Sequence, residues 1–295
     1  MCSTGCSIHA RGSANVEDTV TALAQHRRFY AELIVKSAGA SDARLIDAFA
    51  GVPREDFVGP GPWPIFVGSG YLPTVSNDPA LLYQDVLVGL DTARGINNGQ
   101  PSLHARCLAA VLPAPGETVV HVGAGSGYYS AVLAALVGKY GRVLAYEIVS
   151  ELAAMAQRNL SQHANVTVLN ASASEGQLPE ADVIYVNAGA THPLDIWLDA
   201  LRVGGRLIFP LTPDEGFGVM LLVKRLDATR FAAQTLIRVS FIPCMGARDE
   251  KASQALTAAL QVHSLKLVQS LHRHTPPDAS AWCVGSTWWL STRAA

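Results

Sequence analysis

Between Thr118 and Leu211 the chain alternates between two hydrophobic rhythms. Short β-branched, apolar runs ("TVVHVG", "GRVLAYE", "NVTVLNA", "ADVIYVNA", "GGRLIFPL") are bounded by turns and predict buried strands. The stretches between them, "YYSAVLAALVG" and "SELAAMAQRNLSQH", repeat apolar positions at helical spacing. "SLHARCLAAVL" predicts a further helix ahead of the first strand, with Pro101 at its first turn and Pro113 beyond its end. Strands alternating with helices of ten or so residues predict βαβ units and a parallel sheet. Upstream, Leu23, His26, Phe29, Leu33 and Ile34, then Leu45, Ile46 and Phe49, predict two helices separated near Ser41 and Asp42. The segment from Val58 to Pro79 is dense in Pro and Gly, which stop helices and remove ladder donors, and predicts an irregular loop. "LLYQDVLVGL" predicts a short strand or hairpin. Beyond Pro213, "VMLLVKRL", "RFAAQTLIRVSFIPC" and "WWLST" predict strands that extend the sheet, with a helix from Glu250 to Ser264, and "HRHTPP" predicts a solvated loop. The expected fold class is α/β, a Rossmann-like, mostly parallel sheet. Its expected parts are an N-terminal helical and loop extension (1–95), a ligand-binding core (96–213), and C-terminal strands and a helix that complete the sheet (214–295).

Composition narrows the function. Of 295 residues, 49% are hydrophobic and 16% charged, with a formal net charge of −2; this is a core-forming chain with no basic stripe for nucleic acid. No apolar run approaches the ~20 residues a bilayer needs. "MCSTGCSIHARG" lacks a charged region followed by an apolar one, so no signal peptide and a cytoplasmic location are expected. Cys2, Cys6, Cys107, Cys244 and Cys283 form no C-x-x-C pair. Cys2, Cys6 and His9 lack a fourth ligand for zinc, so a frayed terminus and no metal site are expected.

"HVGAGSGYYS" places Gly123, Ala124, Gly125, Ser126 and Gly127 directly after a strand and before a helix. Missing Cβ atoms let the backbone turn sharply and approach a ligand, and the helix start offers unpaired N–H groups. Glu147 ends the next strand about 20 residues on, where a carboxylate suits a vicinal ribose diol. A dinucleotide loop prefers G-x-G-x-x-G/A, but position 128 is Tyr with Tyr129 beside it, and those rings would crowd a pyrophosphate. S-adenosylmethionine is therefore the expected cofactor, ahead of NAD. Ile148, Asn187 and Tyr128 are further expected cofactor contacts.

From about Phe29 to Pro243 the chain resembles the protein-L-isoaspartate O-methyltransferase family. "LIDAFAGVPREDFV", "NNGQPSLHA", "HVGAGSGYYSAVLAALVGKYGRV", "YVNAGATHP" and "LRVGGRLIFPL" carry the resemblance. The combination of "VPREDFV" with a Pro-x-x-His-Ala segment before the glycine loop is its most specific part. The resemblance implies a methyltransferase fold, carboxyl methylation of an isoaspartyl-type protein or peptide, and a segment from Asn97 to His104 folded near the methyl donor. His104 falls on the motif's second histidine, which contacts the cofactor.

The chain also departs from the family. With Pro101 and His104 aligned, the family's functional serine falls on Gly99 and its first histidine on Ser102; Ala171 stands for an Asp near the adenine, so the resemblance implies that Ser172 and backbone groups at Ala171 hold the base, and Met245 stands for a hydroxyl-bearing residue. Carboxylates are already ionised at pH 7, so the transfer needs positioning and a dry site more than a base. Asn98, Gly99 and Ser102 are the expected catalytic positions, with Asn97 facing the cofactor. Gln100, His192 and Arg248 are expected at the acceptor, Arg248 as a bidentate clamp on its carboxylate. A small-molecule or tailored-peptide acceptor, or a cofactor-binding module without turnover, remain the alternatives.

Overall fold

The computed structural model describes residues 16–262 and 264–295; Cys2, Cys6 and His9 lie outside them. Helices α1 (Val16–Ser37) and α2 (Ala43–Gly51) open the chain, α2 capped by Asp42, whose side chain accepts from the Arg44 N–H. Two small hairpins come next: β1 (Pro64–Phe66) with β2 (Tyr71–Pro73), and β3 (Gly89–Asp91) with β4 (Ile96–Asn97). The core then runs α3 (Pro101–Val111), β5 (Thr118–Val122), α4 (Tyr128–Val137), β6 (Arg142–Tyr146), α5 (Ser150–Asn159), β7 (Val166–Leu169), β8 (Ala181–Val186), α6 (Asp195–Ala200) and β9 (Leu201–Leu211). Strands β10 (Gly218–Arg225) and β11 (Phe231–Val239), helix α7 (Glu250–Val262), and β12 (Ser270–Arg273), β13 (Ala281–Val284) and β14 (Trp288–Ser291) finish it.

Ten strands form one sheet in the order β13-β14-β12-β11-β10-β9-β8-β5-β6-β7. Strands β9, β8, β5, β6 and β7 pair in parallel, and the five from β10 onward add antiparallel, so the Rossmann-like half continues into an antiparallel half. Successive strand residues feed opposite cores, as a pleat requires. Val119, Val183 and Ile208 join the core under α1 to α4, whereas Val120, Ile184 and Phe209 join the core with Trp197 and Leu256. The strand order reverses at β5, between β8 and β6, and in open α/β sheets a crevice at such a point binds ligands.

Several expectations are corrected. The Pro-rich segment contains the β1–β2 hairpin, which tolerates Pro64 and Pro73 because a two-stranded ribbon has open edges. "HRHTPP" is not all loop: His272 and Arg273 belong to β12, where His272 stacks on Trp289 at 4.0 Å and Arg273 pairs with Asp199 at 2.6 Å. In α1 the buried stripe is Tyr30, Ile34 and Val35, while Phe29 and Leu33 are exposed. No described helix is long and apolar enough to cross a membrane.

Candidate active site

A cavity of about 1050 Å³ opens at the carboxyl ends of β5, β6 and β8. At one end lie Gly123 to Ser126, Glu147 and Ile148. A Cβ built on Gly125 meets only Leu90 Cδ1, at 3.6 Å, so the glycine leaves cavity space that a side chain would fill. Glu147 is buried; its Oε2 accepts from the Gly125 N–H at 2.7 Å and its Oε1 from the Val149 N–H at 2.9 Å. Each oxygen keeps a second lone pair for a ligand hydroxyl. Burial raises this carboxyl above the ordinary glutamate range, and the backbone donors pull it back. A buried acceptor pair beside an open glycine loop fits the ribose of a nucleoside cofactor.

Ala171 and Ser172 line the same wall, with the Ser172 hydroxyl 2.7 Å from that of Ser174, which donates to the Met245 carbonyl at 2.7 Å. Ser174 was not legible as a site residue, because its partner is 71 positions away. Asn187 also faces the cavity and donates through Nδ2 to His121 Nε2 at 2.8 Å, leaving its Oδ1 free to accept. Tyr128 lines the wall but is buried, with its ring edge-on to Phe57 at 5.6 Å. Gly127 does not line the cavity. Its φ of 95° starts α4, and a Cβ there would lie 2.7 Å from Leu160 Cδ1, so it is a packing glycine and not a cofactor contact.

The segment from Asn97 to His104 forms the opposite wall. His104 is buried, stacked on Tyr129 at 3.6 Å, with Nδ1 2.9 Å from the Tyr185 hydroxyl. Burial, aided by neighbouring His121, pushes it down to about 3, and burial does the same to His121. Both rings are neutral at physiological pH. Gly99 has φ 74°, and a Cβ there would stand 2.2 Å from His104 Nε2. The imidazole thus occupies the place a side chain at position 99 would need.

Most polar groups of this segment are engaged inside the fold. Ser102 and Gln100 both bond Asp85: the Ser102 N–H donates at 2.8 Å, its hydroxyl at 2.6 Å, and Gln100 Nε2 at 3.0 Å. Ser102 spends both its N–H and its hydroxyl on Asp85 and Gln100 one of its two amide hydrogens; through them Asp85 caps α3, whose own N-cap Gln100 makes no capping bond. Asn97 accepts from the Gly99 N–H at 2.9 Å and donates weakly to Gly95 and Tyr71. Asn98 differs. Its Oδ1 accepts from the Val88 N–H at 2.9 Å, which fixes the amide, and its buried Nδ2 has no partner among the described residues.

Two expected acceptor residues lie elsewhere. Arg248 donates through Nη1 to the carbonyls of Gly189 and Thr212 at 2.9 and 3.0 Å and through Nε to Asp214 at 3.1 Å. With its fork consumed in tying β9 to the loop after β8, it is no carboxylate clamp. His192 lines a separate small pocket with Asp195, Asp249 and Trp288, and not the large cavity. Arginines 106 and 238, which the sequence did not single out, do line the large cavity.

The sequence model of the family described as "Protein-L-isoaspartate(D-aspartate) O-methyltransferase (PCMT)" matches residues 26–249. A protein-L-isoaspartate O-methyltransferase of Aeropyrum pernix is 32% identical over 221 residues, covering 73% of this chain and 77% of that one. One of Methanopyrus kandleri is 31% identical over 208 residues, 69% and 84% of the two chains. Among solved structures, a protein-L-isoaspartate O-methyltransferase superposes with a TM-score of 0.63 at 24% identity, over 80% of this chain and 70% of the other. A Plasmodium falciparum protein titled as a putative member, in complex with S-adenosyl-L-homocysteine, gives 0.60 at 20%, over 75% and 98%. A family match across most of the chain, joined to a cavity built from the glycine loop, the ribose-type carboxylate and the motif histidine, means that the chain belongs to the protein-L-isoaspartate O-methyltransferase family and is an S-adenosylmethionine-dependent methyltransferase.

Proposed function

We propose that the protein methylates the free carboxylate of an isoaspartyl-type residue in a protein or peptide, using the large cavity as its site. The observation that supports this most is the joining of the two walls in one space of about 1050 Å³. That is at the upper end of the ~300–1,000 Å³ of small-molecule sites, so a cofactor and an acceptor residue can lie side by side. Glu147 would hold the ribose hydroxyls, the backbone of Gly123 to Ser126 the atoms next to them, and Asn187 Oδ1 a donor on the amino-acid portion.

When bound, S-adenosylmethionine supplies an electrophilic methyl group on a sulfonium. The chain's own residues align and dry the acceptor. Asn98 lines the cavity beside Gly99, and its unpartnered amide, once turned toward the incoming acceptor, donates to one oxygen of the carboxylate in place of the hydroxyl lost at Gly99. An unpaired buried donor costs ~1–3 kcal/mol, which an acceptor oxygen relieves. Neutral His104, on the cavity wall, would bring no cation to the bound cofactor. No general base is needed, since the acceptor is ionised.

Labelled S-adenosylmethionine offered with matched isoaspartyl and aspartyl peptides tests the reading, with cofactor binding followed by calorimetry. Base-labile label on the isoaspartyl peptide alone is the expected result, with KM for that peptide raised roughly tenfold in Asn98→Ala. Cofactor binding with neither peptide labelled would sink it. The glycine at position 99 favours a second reading, a different carboxylate acceptor, which label on the aspartyl peptide would support.

A further inference from the structure

The cavity wall carries three arginines and one carboxylate, Glu147. Arg94 is paired, with Asp91 at 2.6 Å. The side chains of Arg106 and Arg238 have no hydrogen-bond or ion-pair partner among the described residues. Arg106 projects from α3 at half-burial, one turn beyond Ser102, and Arg238 is exposed near the end of β11, opposite Val219 of β10. Phe217, Ile237, Ile242 and Met245, all 36–66% exposed, line the cavity there too. Apart from Met245, whose carbonyl accepts from Ser174 beside Ser172, none of these side chains was needed for the cofactor reading.

Uncompensated guanidinium groups beside a cavity bind anions, and their planar forks match carboxylates. We infer that the acceptor is an acidic polypeptide segment: besides the methylated carboxylate it carries a second acidic side chain, held by Arg106 and Arg238, next to an apolar residue that rests on Phe217, Ile237, Ile242 and Met245. The exposed apolar rim selects a peptide over a small dicarboxylic acid, which would leave those side chains uncovered. The arginines read the neighbour of the reacting residue while Asn98 reads the residue itself. This rests on the cavity being the carboxyl-methylation site.

The test uses the full-length protein and two isoaspartyl peptides with amidated C-termini. One carries Asp and the other Asn beside the isoaspartyl residue, within the same apolar sequence. Affinity is measured with S-adenosylhomocysteine present, and methyl transfer is followed separately. The wild type is expected to prefer the Asp peptide by roughly tenfold in affinity and in kcat/KM. Arg106→Gln and Arg238→Gln should each shrink that ratio, and added salt should shrink it in the wild type. Equal affinity for both peptides, or arginine variants that weaken both equally, would overturn the inference. A retained Asp preference in binding with no methyl transfer to either peptide would instead refute the proposed reaction and leave the acidic-segment inference standing.

Discussion

Position 99 concentrates the departure from the family into one small volume. Its backbone is left-handed (φ 74°), and the nearest atom to a Cβ would be His104 Nε2 at 2.2 Å. His104 has little freedom to yield, because its ring is stacked on Tyr129 and its Nδ1 faces the Tyr185 hydroxyl. Putting the family's serine back therefore does not recreate the family's site. Gly99→Ser costs at least ~1–2 kcal/mol from the left-handed backbone alone, and the collision adds to it by forcing the imidazole from its stack. The expected outcome is a lower urea midpoint and weaker cofactor binding by calorimetry, with no gain in methyl transfer. Adding His104→Ala to Gly99→Ser should recover part of the lost stability. A Gly99→Ser protein as stable as the wild type and faster on an isoaspartyl peptide would show that room for the hydroxyl had been kept.

Between elements, a relay of polar contacts sets where that segment sits. Arg54, from "VPREDFV", is fully buried and donates to the carbonyls of Leu82, Gln84 and Val86, with the Tyr30 ring 5.4 Å from its guanidinium carbon. That pins the loop bearing Asp85, and Asp85 in turn caps α3 from 17 residues away. Loss of a capping side chain costs ~0.5–2 kcal/mol. Asp85→Ala is expected to lower stability by about that much, and to raise KM for the acceptor because α3 carries His104 and Arg106. An unchanged KM would mean that the segment is held without the cap. The same relay explains what the chain hid. The Asn97–Ser102 cluster announced itself as a site, but which of its donors were already committed depended on Asp85 and Val88, contacts that no local pattern encodes. Arg106 and Arg238 looked like any surface arginine on a helix or strand, whereas Arg248 looked exceptional because of its loop. In the fold Arg248 is tied to Gly189, Thr212 and Asp214, while Arg106 and Arg238 line the cavity.

For the molecule as a whole, the parallel half was legible because its central strands β5 and β8 are buried on both faces and read as near-continuous apolar runs, such as the five buried residues of β5. The antiparallel half was harder: β12 and β13 are four residues each, and three of the four in β12 are polar, so only the sheet they join makes them strands. Two buried histidines, His121 in β5 and His104 on α3 against it, tie the packing of this sheet and helix to pH. His104 and His121 titrate at about 3 in the folded protein and near 6.5 when unfolded. Between those values the unfolded chain binds more protons than the folded one, so stability rises with pH across the window and the full contribution is present above it. Each histidine adds up to ~1.4 kcal/mol per pH unit to that slope. Urea midpoints measured from pH 7 down to pH 4.5 should therefore fall steadily on acidification, and His104→Gln should lessen the slope by about one proton's worth while leaving that of His121. Parallel slopes for wild type and variant would mean that His104 takes up its proton in the folded state.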